Sequence, residues 1–309
     1  MSDSVWQSIE TGLGDLIAKE GLPPDFSATI QQYYYPLARQ LQVTQQRLGR
    51  PLLVGINGAQ GTGKSTLALF LQTMLSQGLD RPCVRFSLDD IYLTRAQRQS
   101  LATEVHPLLL TRGVPGTHDI DLGMGLLDQL LAAGEDDNVP IPAFDKAIDD
   151  RAPQESWPRH RGPVSVILLE GWCVAALPET DLDVLRQPIN TLEQLEDPDG
   201  HWRQYVNQHL ATDYKELFER LDLLVMLKAP SMECILEWRT LQEQKLANRI
   251  GLHQNSAGEL KIMTPEQIKR FIMHYERLTR AMLAEMPARA DVLFDIDAQH
   301  RITGVKYRD

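Results

Sequence analysis

Eight consecutive residues, Gly58-Ala59-Gln60-Gly61-Thr62-Gly63-Lys64-Ser65, carry the clearest chemistry in the chain. They spell G-x-x-x-x-G-K-S, a pattern in which each fixed position has a physical task. Glycines let the backbone curl until successive N–H groups point inward at an anion, with Ala59, Gln60 and Thr62 supplying N–H groups between them. A helix beginning at Lys64 adds the positive end of its dipole. Lys64 reaches the β- and γ-phosphates of a nucleoside triphosphate, Ser65 offers its hydroxyl to Mg2+, and Thr66 hydrogen-bonds a phosphate oxygen. The pattern needs an apolar strand before it and a helix after it. Pro51 to Asn57 reads PLLVGIN, and a helical pattern runs from Lys64 to about Gln77. ATP with Mg2+ is the expected ligand.

Carboxylates complete a second group. The stretch CVRFSL reads as a strand, and Asp89-Asp90 follow it directly, at the strand end where open α/β sheets build their ligand crevice. One of the pair orients or deprotonates an acceptor hydroxyl; capping the next helix is the competing reading for either taken alone. Further on, the apolar strand Val164 to Leu169 ends in Glu170-Gly171-Trp172. A carboxylate beside so dry a run calls for a charged or metal-bound partner, so Glu170 is read as a Mg2+ ligand, held through water. An N-K-x-D sequence for reading guanine is absent, and the usual GTPase class recedes with it.

Strand and helix patterns alternate from Pro51 onward, with further strands at LDLLVMLKA and VLFDID and long helices at MECILEWRTLQEQKLANR and PEQIKRFIMHYERLTRAMLAEM. The fold class expected is α/β: a P-loop NTPase three-layer α/β/α domain with a mainly parallel sheet, spanning 49–309 and carrying a helical lid near 230–255. Residues 1–48 read as a helical N-terminal extension broken at Pro23 and Pro24.

Bulk properties limit the partners. The chain has 309 residues, 43% hydrophobic and 24% charged, so it can bury a substantial core, and its net charge of −11 argues against nucleic acid or anionic membrane as a partner. Cys83, Cys173 and Cys234 are odd in number and far apart, which suggests neither a disulfide framework nor a zinc site. The first 20 residues lack the basic start and apolar run of a secretory signal, and a cytoplasmic enzyme is expected.

With these residues in view, the chain resembles the P-loop small-molecule kinases that include uridine kinase, phosphoribulokinase and pantothenate kinase. The ordered series RGVPGTHD (Arg112 to Asp119), PAFDKAIDDR (Pro142 to Arg151), ESWP (Glu155 to Pro158) and LLEGW (Leu168 to Trp172) resembles D-glycerate 3-kinase of the plant type and its microbial relatives. The likeness spans roughly Pro51 to Arg239. It departs from the pattern at Phe144, where tyrosine is expected, and along Pro178 to Asp213.

The resemblance implies transfer of the γ-phosphoryl group of ATP to a hydroxyl of a small metabolite, foremost D-glycerate, with Asp89 as base. Pantothenate, a nucleoside or another sugar acid stand as alternative acceptors, and a nucleotide-dependent regulatory protein without acceptor chemistry as an alternative class. A glycerate pocket needs cations for the substrate carboxylate, and Arg112, Lys146 and Arg151 are the candidates. His118 and Asp119 either touch the acceptor or serve as a turn residue and a helix N-cap. The resemblance also places Arg239 on the lid with Arg249 assisting, against the simpler reading of an Arg239–Glu243 pair one helical turn apart.

Overall fold

The computed structural model describes residues 4–251 and 263–308. Helices α1 (Ser4–Lys19) and α2 (Phe26–Thr29), a π-helical turn (Ile30–Tyr34) and α3 (Tyr35–Leu48) precede β1 (Leu52–Gly58), and α4 (Lys64–Thr73) follows it. Strand β2 (Cys83–Ser87) runs into a 3-10 turn at Leu88–Asp90, then α5 (Arg95–Glu104) and α6 (Ile120–Ala132). Four short strands come next, β3 (Asn138–Pro140), β4 (Phe144–Asp145), β5 (Asp150–Arg151) and β6 (Arg159–Arg161), paired antiparallel as β3 with β6 and β4 with β5. Strand β7 (Val166–Gly171) is followed by α7 (Leu182–Arg186), α8 (Thr191–Glu196), α9 (His201–Ala211) and α10 (Asp213–Phe218). The described chain closes with β8 (Leu223–Lys228), α11 (Met232–Gly251), α12 (Pro265–Glu285), β9 (Val292–Ile296) and β10 (Ile302–Tyr307).

The main sheet is six-stranded in the order β10-β9-β8-β1-β7-β2, parallel throughout except for the β9–β10 pair. Its central strands β1, β7 and β8 are mostly apolar and buried along nearly their whole length, as strands covered on both faces must be, whereas edge strand β10 is partly exposed. Side-chain alternation then sorts each strand into two cores. Leu52, Val54, Ile56, Val166, Leu168, Val225 and Phe294 join one cluster; Leu53, Ile167, Leu169, Leu224, Met226 and Leu293 join another on the opposite face. The sheet is thus the middle of three layers.

Residues 1–48, read from sequence as an extension, supply much of the first outer layer where described. Trp6, Leu13, Ile30, Leu37 and Leu41 belong to the same cluster as Leu52 and Phe70. At Gly78 a Cβ would lie 2.5 Å from Ile9 Cγ2, so α1 packs directly on the segment after α4. The helix expected to end near Gln77 finishes as α-helix at Thr73 and continues as a π-helical turn to Gly78. The sheet does not close at β9: β10 adds an antiparallel edge with a register shift between Ile302 and Gly304.

Strand β1 sits at the centre, with β7 on one side and β8 on the other, although the chain visits β2 before either. That reversal of direction leaves a crevice at the carboxyl ends of β1 and β7, where ligands of such sheets bind.

Leu37→Ala, in a fully buried position of α3, is expected to lower the unfolding free energy by about 2–5 kcal/mol while the chain still unfolds in one urea transition. A separate early transition at low urea would contradict the packing of residues 1–48 into the same cluster as β1.

Candidate active site

The loop Gly58–Ser65 leaves the end of β1 and enters α4. Gly61 and Gly63 hold φ of 86° and 89°, the left-handed region that side chains disfavour. A Cβ on Gly58 would lie 2.4 Å from Thr62 Oγ1, and that hydroxyl donates to Ala59 O at 2.8 Å, which fastens the loop across its own curve. Trp238 of α11 packs on Gly61, where a Cβ would stand 3.0 Å from Trp238 Cβ. Its Nε1 donates to Ala298 O at 3.0 Å, its ring lies 4.2 Å from that of His300, and His300 Nδ1 donates to Gly61 O at 2.9 Å. The β9–β10 turn therefore braces the loop from outside. Gln60 Oε1 is buried without a hydrogen-bond partner among the described residues.

Glu170 ends β7 beside this loop, only 4% exposed. Ser65 Oγ donates to its Oε1 at 2.7 Å. Its other oxygen, Oε2, stands 3.9 Å from Lys64 Nζ and accepts no hydrogen bond. An orphaned buried carboxylate oxygen next to a hydroxyl, both aligned with a phosphate-type loop, suits a hard cation that prefers oxygen ligands. Among the described residues no group of three or more His, Cys, Asp or Glu comes together as a metal cage. Asn57 steadies this corner by donating from Nδ2 to Trp172 O at 3.1 Å and Val174 O at 2.9 Å.

The two aspartates after β2 part company. Asp90 Oδ2 accepts from Ser87 N at 3.0 Å, while Ser87 Oγ accepts from Asp89 N at 3.1 Å, so Asp90 caps its own 3-10 turn. Burial pushes Asp90 up to about 6, with Asp89 and Glu170 adding repulsion against the Ser87 hydrogen bond. Asp89 is left to face the crevice. Its Oδ1 accepts from Tyr92 OH at 2.5 Å and its Oδ2 from Lys146 Nζ at 2.6 Å. Burial alone would raise its pKa, yet Lys146 and Lys64 together with these hydrogen bonds hold it well below the usual carboxylate range. Burial and the Asp89 charge raise Tyr92 well above an ordinary phenol, so it remains a donor.

Around Asp89 the basic candidates are paired rather than free. Arg151 Nη2 binds Asp119 Oδ2 at 2.8 Å and Tyr92 O at 3.1 Å. Asp119 is also the N-cap of α6, its Oδ1 accepting from Leu122 N at 3.0 Å, so the two roles weighed for it coexist. Arg112 binds Asp149, which Arg98 Nη2 also holds at 3.0 Å, and the Arg112 guanidinium lies 5.4 Å from the Phe144 ring. His118 is 4% exposed and stacks on Tyr92 with 4.8 Å between centroids. The Tyr214 hydroxyl accepts from Gly116 N at 3.1 Å and shares a second hydrogen bond with His118 Nδ1 at 2.5 Å. His118 Nε2 is buried without a hydrogen-bond partner among the described residues, and burial pushes the ring's pKa down to about 4, which keeps it neutral.

Several positioning groups carried no signal in the sequence. Trp172 Nε1 donates to Gly113 O at 2.7 Å and Tyr275 OH to Arg112 O at 2.9 Å, which with Tyr214 fixes the loop bearing Arg112, His118 and Asp119 from three distant elements. Tyr92 lies three residues after Asp89, but nothing in the sequence marks it as its partner.

Arg239 is not brought onto the loop. Its Nη2 pairs with Glu243 Oε2 at 2.9 Å, and its guanidinium lies 5.6 Å from the Phe271 ring. Glu243 in turn accepts from Met263 N at 2.9 Å through Oε1. The pair one helical turn apart is the arrangement present. The backbone of α11 is described as far as Gly251, but the Arg249 side chain and the far end of the expected lid, 252–255, lie outside what is described.

Two outcomes check this geometry. Gly61→Val should abolish measurable nucleotide binding by calorimetry while leaving the far-ultraviolet circular dichroism spectrum unchanged. For His118, both folded and unfolded states are neutral above pH 6.5; below it the unfolded state takes up a proton that the folded state refuses until about pH 4. Wild-type protein should therefore lose on the order of 3 kcal/mol relative to His118→Gln between pH 7 and pH 4. Parallel stability curves for the two proteins would contradict the neutral assignment.

No protein-family model matches the chain. Among known proteins it is similar to the uncharacterized kinase mug58 of Schizosaccharomyces pombe, at 35% identity over 234 residues that cover 74% of this chain and 79% of the relative. It is also similar to the chloroplastic D-glycerate 3-kinase of Arabidopsis thaliana, at 28% identity over 262 residues, covering 81% of this chain and 53% of that longer protein. Among solved structures, D-glycerate 3-kinase from Cryptococcus neoformans shares the fold with a TM-score of 0.74, at 24% identity, over 91% of this chain and 99% of that one. Among the described residues no helix is long and apolar enough to cross a membrane.

Proposed function

The chain belongs to the P-loop small-molecule kinases whose members include D-glycerate 3-kinase, and from that premise we propose that it transfers the γ-phosphoryl group of ATP to a hydroxyl of D-glycerate with Asp89 as base. The observation that carries this reading is the setting of Asp89: ionised, fixed at one oxygen by Tyr92 and at the other by Lys146, and within the field of Lys64, with Arg112 and Arg151 against Tyr92. An anionic acceptor suits that cluster better than a neutral one.

In this mechanism the backbone N–H groups of residues 58–66 hold the triphosphate, and Lys64 offsets charge on the γ-phosphoryl oxygens as transfer proceeds. Mg2+ bound at Ser65 and Glu170 would neutralise phosphate charge. Asp89 orients the acceptor hydroxyl and takes its proton, while Tyr92, backed by the neutral His118 ring, keeps the carboxylate aimed. Arg112 and Arg151, held on Asp149 and Asp119, present fixed donors for the acceptor carboxylate. Arg239 reaches the phosphates only by giving up Glu243, so its part belongs to a closed lid. A cytoplasmic enzyme acting on a free metabolite is the setting this reading assumes.

ATP consumption with D-glycerate, L-glycerate, pantothenate and uridine, each supplied separately, tests the acceptor. D-Glycerate alone should stimulate turnover with phosphoglycerate as product, and Asp89→Asn should lower that rate by roughly 10²- to 10⁴-fold. Stimulation by a different acceptor would overturn the substrate, and an active Asp89→Asn enzyme would overturn the base. Glu170→Gln should raise the Mg2+ concentration for half-maximal rate by roughly 10- to 100-fold; an unchanged Mg2+ dependence would remove Glu170 from the metal site.

A further inference from the structure

Both oxygens of Asp89 already accept a hydrogen bond, and a cation lies against the one that Tyr92 leaves. Oδ1 already accepts the Tyr92 hydroxyl, and Oδ2 is covered by Lys146. Tyr92 is buried, stacked on His118 and met edge-on by Phe144, so its contact is a permanent one. Lys146 is different. Its side chain is 58% exposed and it follows β4 on the crevice-side hairpin. The hairpin itself is firmly held: Arg98 Nη2 donates to Asp149 O at 2.8 Å, Arg95 N to Asp150 Oδ1 at 3.1 Å, and Ala152 N to Ala143 O at 2.9 Å. Only the four-carbon stem of Lys146 has to rotate for its ammonium to leave Asp89, and an ion pair with so exposed an end is weak.

Resting on the reading of Asp89 as the base, we propose that Lys146 is a substrate-released cover: it exchanges from Asp89 Oδ2 to the carboxylate of a hydroxy-acid acceptor, so that an anionic acceptor uncovers the oxygen that takes its own proton. The hydroxyl proton then passes to Asp89 Oδ2 as the new O–P bond forms and the bond between the γ-phosphorus and its bridging oxygen breaks. Release also makes Asp89 a stronger base, since Lys146 and Lys64 are the charges that depress it, against burial. The other groups facing Asp89 stay in place through the exchange: Asp90 in its cap, neutral Tyr92 and His118, and the buried Cys173 and Tyr275. Arg112 and Arg151 cannot substitute as the cover, because Asp149 and Asp119 hold them away from Oδ2. Lys146 is therefore a specificity residue in two senses. It binds the anionic acceptor, and it keeps the base closed to neutral hydroxyls and to water.

The full-length protein tests this with MgATP and three conditions: D-glycerate, glycerol as its uncharged analogue, and no acceptor. In Lys146→Met, the KM for D-glycerate should rise at least tenfold, whereas acceptor-free ATP hydrolysis and kcat/KM for glycerol should both increase several-fold. The preference for D-glycerate over glycerol should fall by about 100-fold, the scale of one charge-assisted hydrogen bond. Lys146→Arg should keep most of that preference. A higher KM for D-glycerate with glycerol turnover and acceptor-free hydrolysis unchanged or lower would overturn the cover and leave Lys146 as a binding residue alone. The acceptor-free measurement does not depend on which metabolite is the substrate. The double variant Asp89→Asn, Lys146→Met separates the two readings: loss of the extra hydrolysis supports uncovering of Asp89, and its persistence overturns it. An active Asp89→Asn single variant instead brings down the underlying assignment of the base.

Discussion

Strands β1 and β7 lie parallel and paired from Leu52 opposite Val166 to Asn57 opposite Gly171, and that register decides where everything else can act. One strand runs into the glycine-rich loop and the other ends at Glu170, so the pairing delivers Ser65 Oγ to within 2.7 Å of the Glu170 carboxylate. A slip of one residue would turn Glu170 toward the opposite face of the sheet and carry its charge into an apolar layer. The pairing of β2 with β7, which sets Ser87 opposite Glu170, extends the same constraint to the turn bearing Asp89. Three separate segments thereby meet at one sheet edge, and the apolar residues of both cores pay for the placement of the polar ones.

The site that results is a lattice of paired charges inside an acidic protein. Glu170 meets Lys64, Asp89 meets Lys146, Asp119 meets Arg151 and Asp149 meets Arg112. Each pair holds a costly buried or half-buried ion in place. In the proposed mechanism phosphates would compete for Lys64, a metal ion for the Glu170 oxygen that lacks a hydrogen bond, and an acceptor carboxylate for the lysine and arginines. Neutral His118 and the two buried tyrosines flanking it supply rigidity without adding charge.

Motifs whose chemistry depends on local spacing were legible in the sequence. The loop Gly58–Ser65 needs only its own glycines and adjoining elements, and the apolar strands betray themselves by length and composition. Asp119 as an N-cap was legible for the same reason, since capping involves residues only three apart. What could not be read were contacts made across the fold. The choice between Asp89 and Asp90 turns on which carboxylate folds back to Ser87 N. The bracing of Gly61 by Trp238 and His300 joins residues 239 apart in the chain in one of its contacts. Arg159 to Arg161 form β6 because Asn138–Pro140 lies alongside, and charge patterning gives no hint of that pairing. Arg239 had two equal readings in sequence; in the described geometry its nearest carboxylate, Glu243, decides where it rests.

The most direct test of the account is phosphorus NMR of the full-length protein with MgATP and D-glycerate. The account predicts a phosphomonoester resonance that grows in step with ADP as the γ-phosphoryl signal of ATP declines. Growth of inorganic phosphate alone, or an unchanged ATP spectrum, would contradict transfer to an acceptor hydroxyl.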